Sequence, residues 1–112
     1  MPAKNISIAA QVPLVYKSLM ADEKFTQTLV ILNEKGLHAR ASARFVETVD
    51  AHDADAEVSK DGLDVTGDSI MGLMMLAASK GCSIEVTTTG REAEKLANAL
   101  KDLVEDYFGE GQ

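Results

Sequence analysis

The sequence predicts an α+β fold, a βαββαβα open-faced sandwich in which a four-stranded antiparallel sheet carries three helices on one face. Two stretches alternate strictly between apolar and polar residues, Ala54 to Val58 and Cys82 to Val86, the pattern of strands with one wet face. Asp61-Gly62 lies between two strand patterns and supplies the residues a two-residue hairpin needs. Segments with apolar residues at helical spacing separate the strands, and glycines close two of them.

Taken in order, residues 1–24 show no sustained period, contain both prolines and read as an extension outside the core fold. Met20, followed by Ala21-Asp22-Glu23-Lys24, offers an alternative start, and a short accessory helix over Leu14 to Met20 is the other reading. From Phe25 the pattern sharpens, with a β-rich run over Thr28 to Leu32 that gives way to the loop Asn33-Glu34-Lys35-Gly36. His38 to Val49 reads as the first helix, with Phe45, Val46 and Val49 on one side and Arg44 and Glu47 on the other. The alternating strand at Ala54 to Val58 pairs through Asp61-Gly62 with Leu63-Asp64-Val65-Thr66. Gly67-Asp68-Ser69 ends that strand, and Ser69 caps a second helix from Ile70 to about Lys80, closed by Gly81. After the fourth strand and Gly90, the residues Ala93, Leu96, Ala97, Leu100, Val104 and Tyr107 form a helical stripe, with Gly109 as its stop. The expected division is an extension at 1–24, one domain at 25–109 and a tail at 110–112.

Composition narrows the possible functions. A chain of 112 residues holds one modest core. With no Trp and 4% aromatics, that core is built from Leu, Ile, Val, Ala and Met, and no aromatic platform for nucleic-acid bases is available. A net charge of −7 disfavours nucleic acid and anionic membranes as partners. The lone Cys82 forms no internal disulfide and reads as a small buried hydrophobe, and the first twenty residues are too interrupted for a signal peptide or membrane span. The expected location is the cytoplasm, with its reducing chemistry.

Gly36-Leu37-His38-Ala39-Arg40 places a histidine at the start of the first helix with an arginine two positions later. Such a helix start offers unpaired backbone N–H groups and the positive end of the macrodipole, so a phosphate attached to His38 is held by backbone donors and by Arg40. A histidine serving only as a helix cap is an equally good account of the pentapeptide taken alone. The second helix is unusual because Ile70 to Ala78 contains no polar residue. With Leu73, Leu76 and Ala77 on the core face, Ile70, Met71 and Met74 are left at the surface as a protein-docking patch, and flexible thioethers suit repacking against several partners. Ser69 is first of all the N-cap of that helix, and a phosphate added there is tolerated by the dipole but not by the patch beside it. His52 reads as a solvated loop histidine, Glu34 and Asp68 form no catalytic carboxylate pair, and no metal or cofactor motif is present.

Together, Gly36-Leu37-His38-Ala39-Arg40, the segment Gly67 to Leu76 and the βαββαβα order resemble the HPr family of phosphocarrier proteins of the phosphoenolpyruvate-dependent phosphotransferase system, over about residues 25 to 108, and its nitrogen-related and alphaproteobacterial members most. The resemblance implies that His38 takes a phosphoryl group on Nδ1 from phosphohistidine enzyme I and passes it to a histidine of an enzyme IIA protein, with Arg40 screening the phosphate. It implies Ser69 as the regulatory target of an HPr kinase/phosphorylase, and a docking face made of the His38 region with Ile70, Met71 and Met74. The protein is then a monomeric carrier consumed and regenerated by enzymes on either side, without cofactor or metal of its own. Two departures stand out: Ala41-Ser42 replaces the proline most members carry after the arginine, and the acidic balance leaves fewer basic residues around the site. The rival readings are a ferredoxin-like RNA-binding module, which needs sheet aromatics and a basic face, and a regulatory protein-binding domain of the same fold without phosphotransfer.

Overall fold

In the computed structural model, which describes residues 23–112, the elements run β1 (Glu23–Val30), α1 (Ala39–Asp50), β2 (Asp55–Lys60), β3 (Leu63–Thr66), α2 (Ile70–Met75), β4 (Ser83–Gly90) and α3 (Ala93–Glu105), followed by a short 3₁₀ turn (Tyr107–Gly109). The strands form one antiparallel sheet in the order β1-β4-β2-β3. Alternation decides which side each strand buries. Leu29 pairs with Ile84, and Val86 and Val65 flank Val58, so these apolar side chains line one face. The opposite face carries Thr26, Thr28, Glu57, Glu85 and Thr66 and stays wet. The helices cover the apolar face, and Leu29, Phe45, Val58, Leu73, Ile84, Val86, Leu96, Leu100 and Phe108 join in one core. Asp61 and Gly62 both take positive φ, 52° and 85°, as the tight hairpin between β2 and β3 requires.

The βαββαβα order is as the sequence predicts, and several boundaries move. Glu23 and Lys24, read as part of the extension at 1–24, belong to β1 and pair with Gly90 and Thr89. That strand ends at Val30, before Leu32. The readings at Met20 and over Leu14 to Met20 lie outside the described residues.

The second helix is the largest correction. It ends at Met75 rather than near Lys80 although Ala77, Ala78 and Lys80 are good helix formers. Ala77 turns to a φ of 52°, and the chain beyond it is held by a tertiary bond in which Leu37 N–H donates to Ala78 O at 2.9 Å. That turn exchanges the expected faces, so Ala77 is exposed and Ala78 is buried. At the other end of the chain, Tyr107 does not continue the buried stripe of α3. Tyr107 and Phe108 adopt φ values of 59° and 54°, which turns Tyr107 outward and drives Phe108 fully into the core. Cys82 is half-buried rather than enclosed, with its Sγ 3.4 Å from Ser79 Oγ. None of the described helices is long and apolar enough to cross a membrane.

Candidate functional site

His38 is the N-cap of α1, with the extended φ and ψ of that position. Its Nδ1 accepts from the Arg40 N–H at 3.3 Å, a long bond that leaves the nitrogen lightly held. The loop before it is clamped from two sides. Leu37 N–H donates to Ala78 O, and the buried Ser42 hydroxyl donates to Leu37 O at 3.2 Å. Ala41 stands directly after the arginine, where the sequence departs from proline, and the hydroxyl of its neighbour Ser42 ties the first turn to the loop. Gly36 is required at its position, since its φ is 64° and a Cβ there would lie 2.4 Å from Ala78 O. The same Ala78 carbonyl ties the end of α2 to the histidine loop, so the two motifs the sequence singles out are mechanically joined.

The other ring nitrogen is engaged by a residue the sequence reading passed over. Glu110, assigned to a featureless tail, reaches back 72 residues and sets its Oε2 2.6 Å from His38 Nε2. Its Oε1 accepts from Asn33 Nδ2 at 3.0 Å. Burial pushes the Glu110 carboxyl up, but hydrogen bonds from Asn33 and His38 and the nearby charges of His38 and Arg40 together outweigh it and hold the group below the usual carboxylate range. A carboxylate accepts only, so it holds a proton on Nε2 and leaves the lone pair on Nδ1, the nitrogen that faces the start of α1.

This arrangement follows from the end of α3. Three successive residues in the left-handed region, Tyr107, Phe108 and Gly109, reverse the chain, and Phe108 anchors the reversal in the core. Gly109 passes against the Arg44 guanidinium, where a Cβ would come within 3.0 Å. No local sequence signal marks such a pairing, because it depends on where a reversed tail lands. Phe108-Gly109 was the available hint, an aromatic beyond the helical stripe next to a stop.

Arg40 is exposed and, with Glu34, Lys35, Glu110 and Gln112, lines a small cleft of about 150 Å³ beside the histidine. Ser69 caps α2 as expected, with its Oγ accepting from Gly72 N–H at 2.9 Å. Ile70, Met71 and Met74 are exposed at 39%, 72% and 41%, and Met75 at 67% joins them because the helix ends there. His52 lies past the opposite end of α1, with its Nδ1 2.7 Å from Thr48 O, and takes no part in the site. Glu34 pairs with Lys80 on the surface, and Asp68 lies in a different cleft, shared with His52 and Arg91. Among the described residues no group of three or more His, Cys, Asp or Glu side chains is arranged to hold a metal ion.

An imidazole whose Nδ1 lies at a helix start, with a flanking arginine and a carboxylate behind the ring, brings together the groups that holding a phosphoryl group requires. Residues 25–106 match the family pattern described as "PTS HPr component phosphorylation site". The chain belongs to the HPr family. Phosphocarrier protein HPr of Neisseria meningitidis is 48% identical over 86 residues, which is 77% of this chain and 97% of that protein. The HPr of Xylella fastidiosa is 40% identical over 73% of this chain and 92% of its own length. Among solved structures, HPr from Thermoanaerobacter tengcongensis superposes with a TM-score of 0.74 at 40% identity, covering 77% of this chain and 97% of that one. As an HPr-family protein the chain is a phosphocarrier of the phosphotransferase system, a substrate of its phosphotransfer partners rather than a catalyst.

Proposed function

We propose that His38 Nδ1 accepts a phosphoryl group from phosphohistidine enzyme I and delivers it to a histidine of an enzyme IIA protein. The observation that carries the assignment is the Glu110 contact on Nε2, because it leaves Nδ1 as the nucleophilic nitrogen. In the transfer, the Nδ1 lone pair attacks phosphorus as the P–N bond to the donor histidine breaks, and that bond's electron pair returns to the donor nitrogen. The Arg40 N–H that Nδ1 had accepted from is freed to donate to a phosphoryl oxygen, together with the other unpaired N–H groups of the first turn. The Arg40 guanidinium screens the added charge. Catalysis is mainly positioning and charge stabilisation at the partner interface. Incubation with phosphoenolpyruvate and enzyme I, followed by intact-mass measurement, is expected to show one acid-labile phosphate. Its absence defeats the carrier assignment.

The reading extends to the surface beside the site. Ile70, Met71, Met74 and Met75 dock the partner proteins, and Ser69 is the target of an HPr kinase/phosphorylase. What supports this is adjacency: a phosphate on Ser69 sits at the edge of four exposed apolar side chains that a partner has to desolvate. Ser69→Asp is expected to weaken enzyme I binding more than Ser69→Ala, which removes the cap without adding charge. Equal affinities of the two variants refute the regulatory role. We also assign residues 23–110, from the start of β1 to the carboxylate on His38, as the functional domain, acting as a monomer in the cytoplasm.

A further inference from the structure

Asn33 is the polar residue whose burial is hardest to explain by packing. It lies between β1 and α1 and is fully enclosed. Its Nδ2 donates to Gly36 O at 2.9 Å and to Glu110 Oε1 at 3.0 Å. Neither acceptor can donate in return, so the orientation of the amide is fixed by chemistry and Oδ1 points away. Among the described residues, Oδ1 is the one buried side-chain nitrogen or oxygen left without a hydrogen-bond partner. An orphan of this kind costs stability, and an apolar side chain would avoid it. An asparagine here is therefore explained by what its other end holds.

We propose that Asn33 is a positioning residue for phosphoryl transfer: by fixing Glu110 Oε1 it aims Oε2 at His38 Nε2 and keeps Nδ1 as the acceptor nitrogen. This deepens, and rests on, the assignment of His38 as the carrier. The need for a second anchor lies in the cleft, where Lys35 and Arg40 stand beside the carboxylate. A carboxylate held by the histidine alone is free to swing onto either cation. Swinging to Arg40 damages the site twice, because it releases the Nε2 proton from its acceptor and occupies the guanidinium that has to meet the phosphate. With Asn33 in place, Arg40 makes no ion pair among the described residues.

The test uses full-length protein labelled with ¹⁵N-histidine, in the wild type, Asn33→Leu and Glu110→Gln. Nitrogen chemical shifts of the neutral His38 ring report which nitrogen carries the proton, and no partner enzyme is needed. The wild type is expected to hold the proton on Nε2. Asn33→Leu is expected to shift the tautomer ratio toward Nδ1–H and to slow phosphoryl uptake from enzyme I by about tenfold, the equivalent of one lost hydrogen bond to a charged group. Its melting temperature is expected to fall, because Gly36 O and Glu110 Oε1 both lose their donor, so the tautomer ratio is the readout that a purely structural role for Asn33 would not move. In Glu110→Gln one amide cannot accept from both Asn33 and His38, so the same tautomer shift follows by a second route and serves if Asn33→Leu fails to fold. An unchanged tautomer ratio in the folded variants overturns the proposal. Failure of the carrier assignment would instead leave the wild-type His38 without phosphate, whatever the ratio.

Discussion

Replacing His38 by Ala removes two interactions of unequal weight. The cap bond is long at 3.3 Å, so its loss belongs at the low end of the usual range, about 0.5 kcal/mol. The larger effect falls on Glu110, whose side chain is only 11% exposed and whose Oε2 loses its partner. An unpaired group of that kind costs about 1–3 kcal/mol, and the lower figure applies because the tail after Gly109 can tilt the carboxylate toward water. Together these amount to about 1.5 kcal/mol, a fall in melting temperature of roughly 6–12 °C for a domain of this size. The deficit depends on pH. A carboxyl held below its ordinary value contributes stability above the usual carboxylate range and loses it as pH falls through the folded value, so the gap between wild type and His38→Ala narrows in acid. Thermal unfolding of both proteins at neutral pH and near pH 3, read by circular dichroism, measures this directly. The reasoning is refuted by a gap that is negligible at neutral pH or that widens in acid. Enzyme I-dependent, acid-labile phosphate on the His38→Ala protein would refute the site itself.

Arg40→Glu reverses the charge at an exposed position beside Glu110 and the phosphate, so quench-flow transfer rates are expected to fall about tenfold while stability changes by no more than about 0.5 kcal/mol. Phe108→Ala empties a fully buried aromatic site and is expected to cost about 3–5 kcal/mol in denaturant titrations. The same change loosens Glu110, so its tautomer ratio at His38 moves as in the Asn33 variant. Deleting residues 1–19 is expected to leave melting temperature and phosphotransfer unchanged, because that stretch carries no periodic pattern and precedes the family match at residue 25; a clear loss of stability would show that it contributes to the domain.

What the sequence made legible were features written in neighbouring residues. Alternation in Ala54 to Val58 and Cys82 to Val86 gave the faces of two strands, Asp61-Gly62 gave the hairpin, and Gly36 to Arg40 gave a histidine at a helix start. The misplaced features all depend on contacts between distant segments. Helix propensity carries α2 through Ala77 and Ala78, yet the Leu37 N–H claims the Ala78 carbonyl and the helix stops. Helical spacing puts Tyr107 in the core, yet the left-handed reversal exchanges it for Phe108. Half of the proposed phosphoacceptor site, His38 and Arg40, lies in the pentapeptide. The other half, Glu110 with Asn33 behind it, comes from opposite ends of the domain and has no spacing to betray it.

The reversal after α3 bears on how this protein can be handled. Gly111 and Gln112, both exposed, come directly after the carboxylate that touches His38. An affinity tag, fluorophore or surface tether joined after Gln112 therefore pulls on Glu110 through two residues, and immobilised protein mounted that way would report a transfer rate set partly by its attachment. Placed elsewhere, such as at the exposed Asp61-Gly62 hairpin, where a Cβ on Gly62 meets nothing within 4 Å, the same label leaves the reactive ring as folding set it.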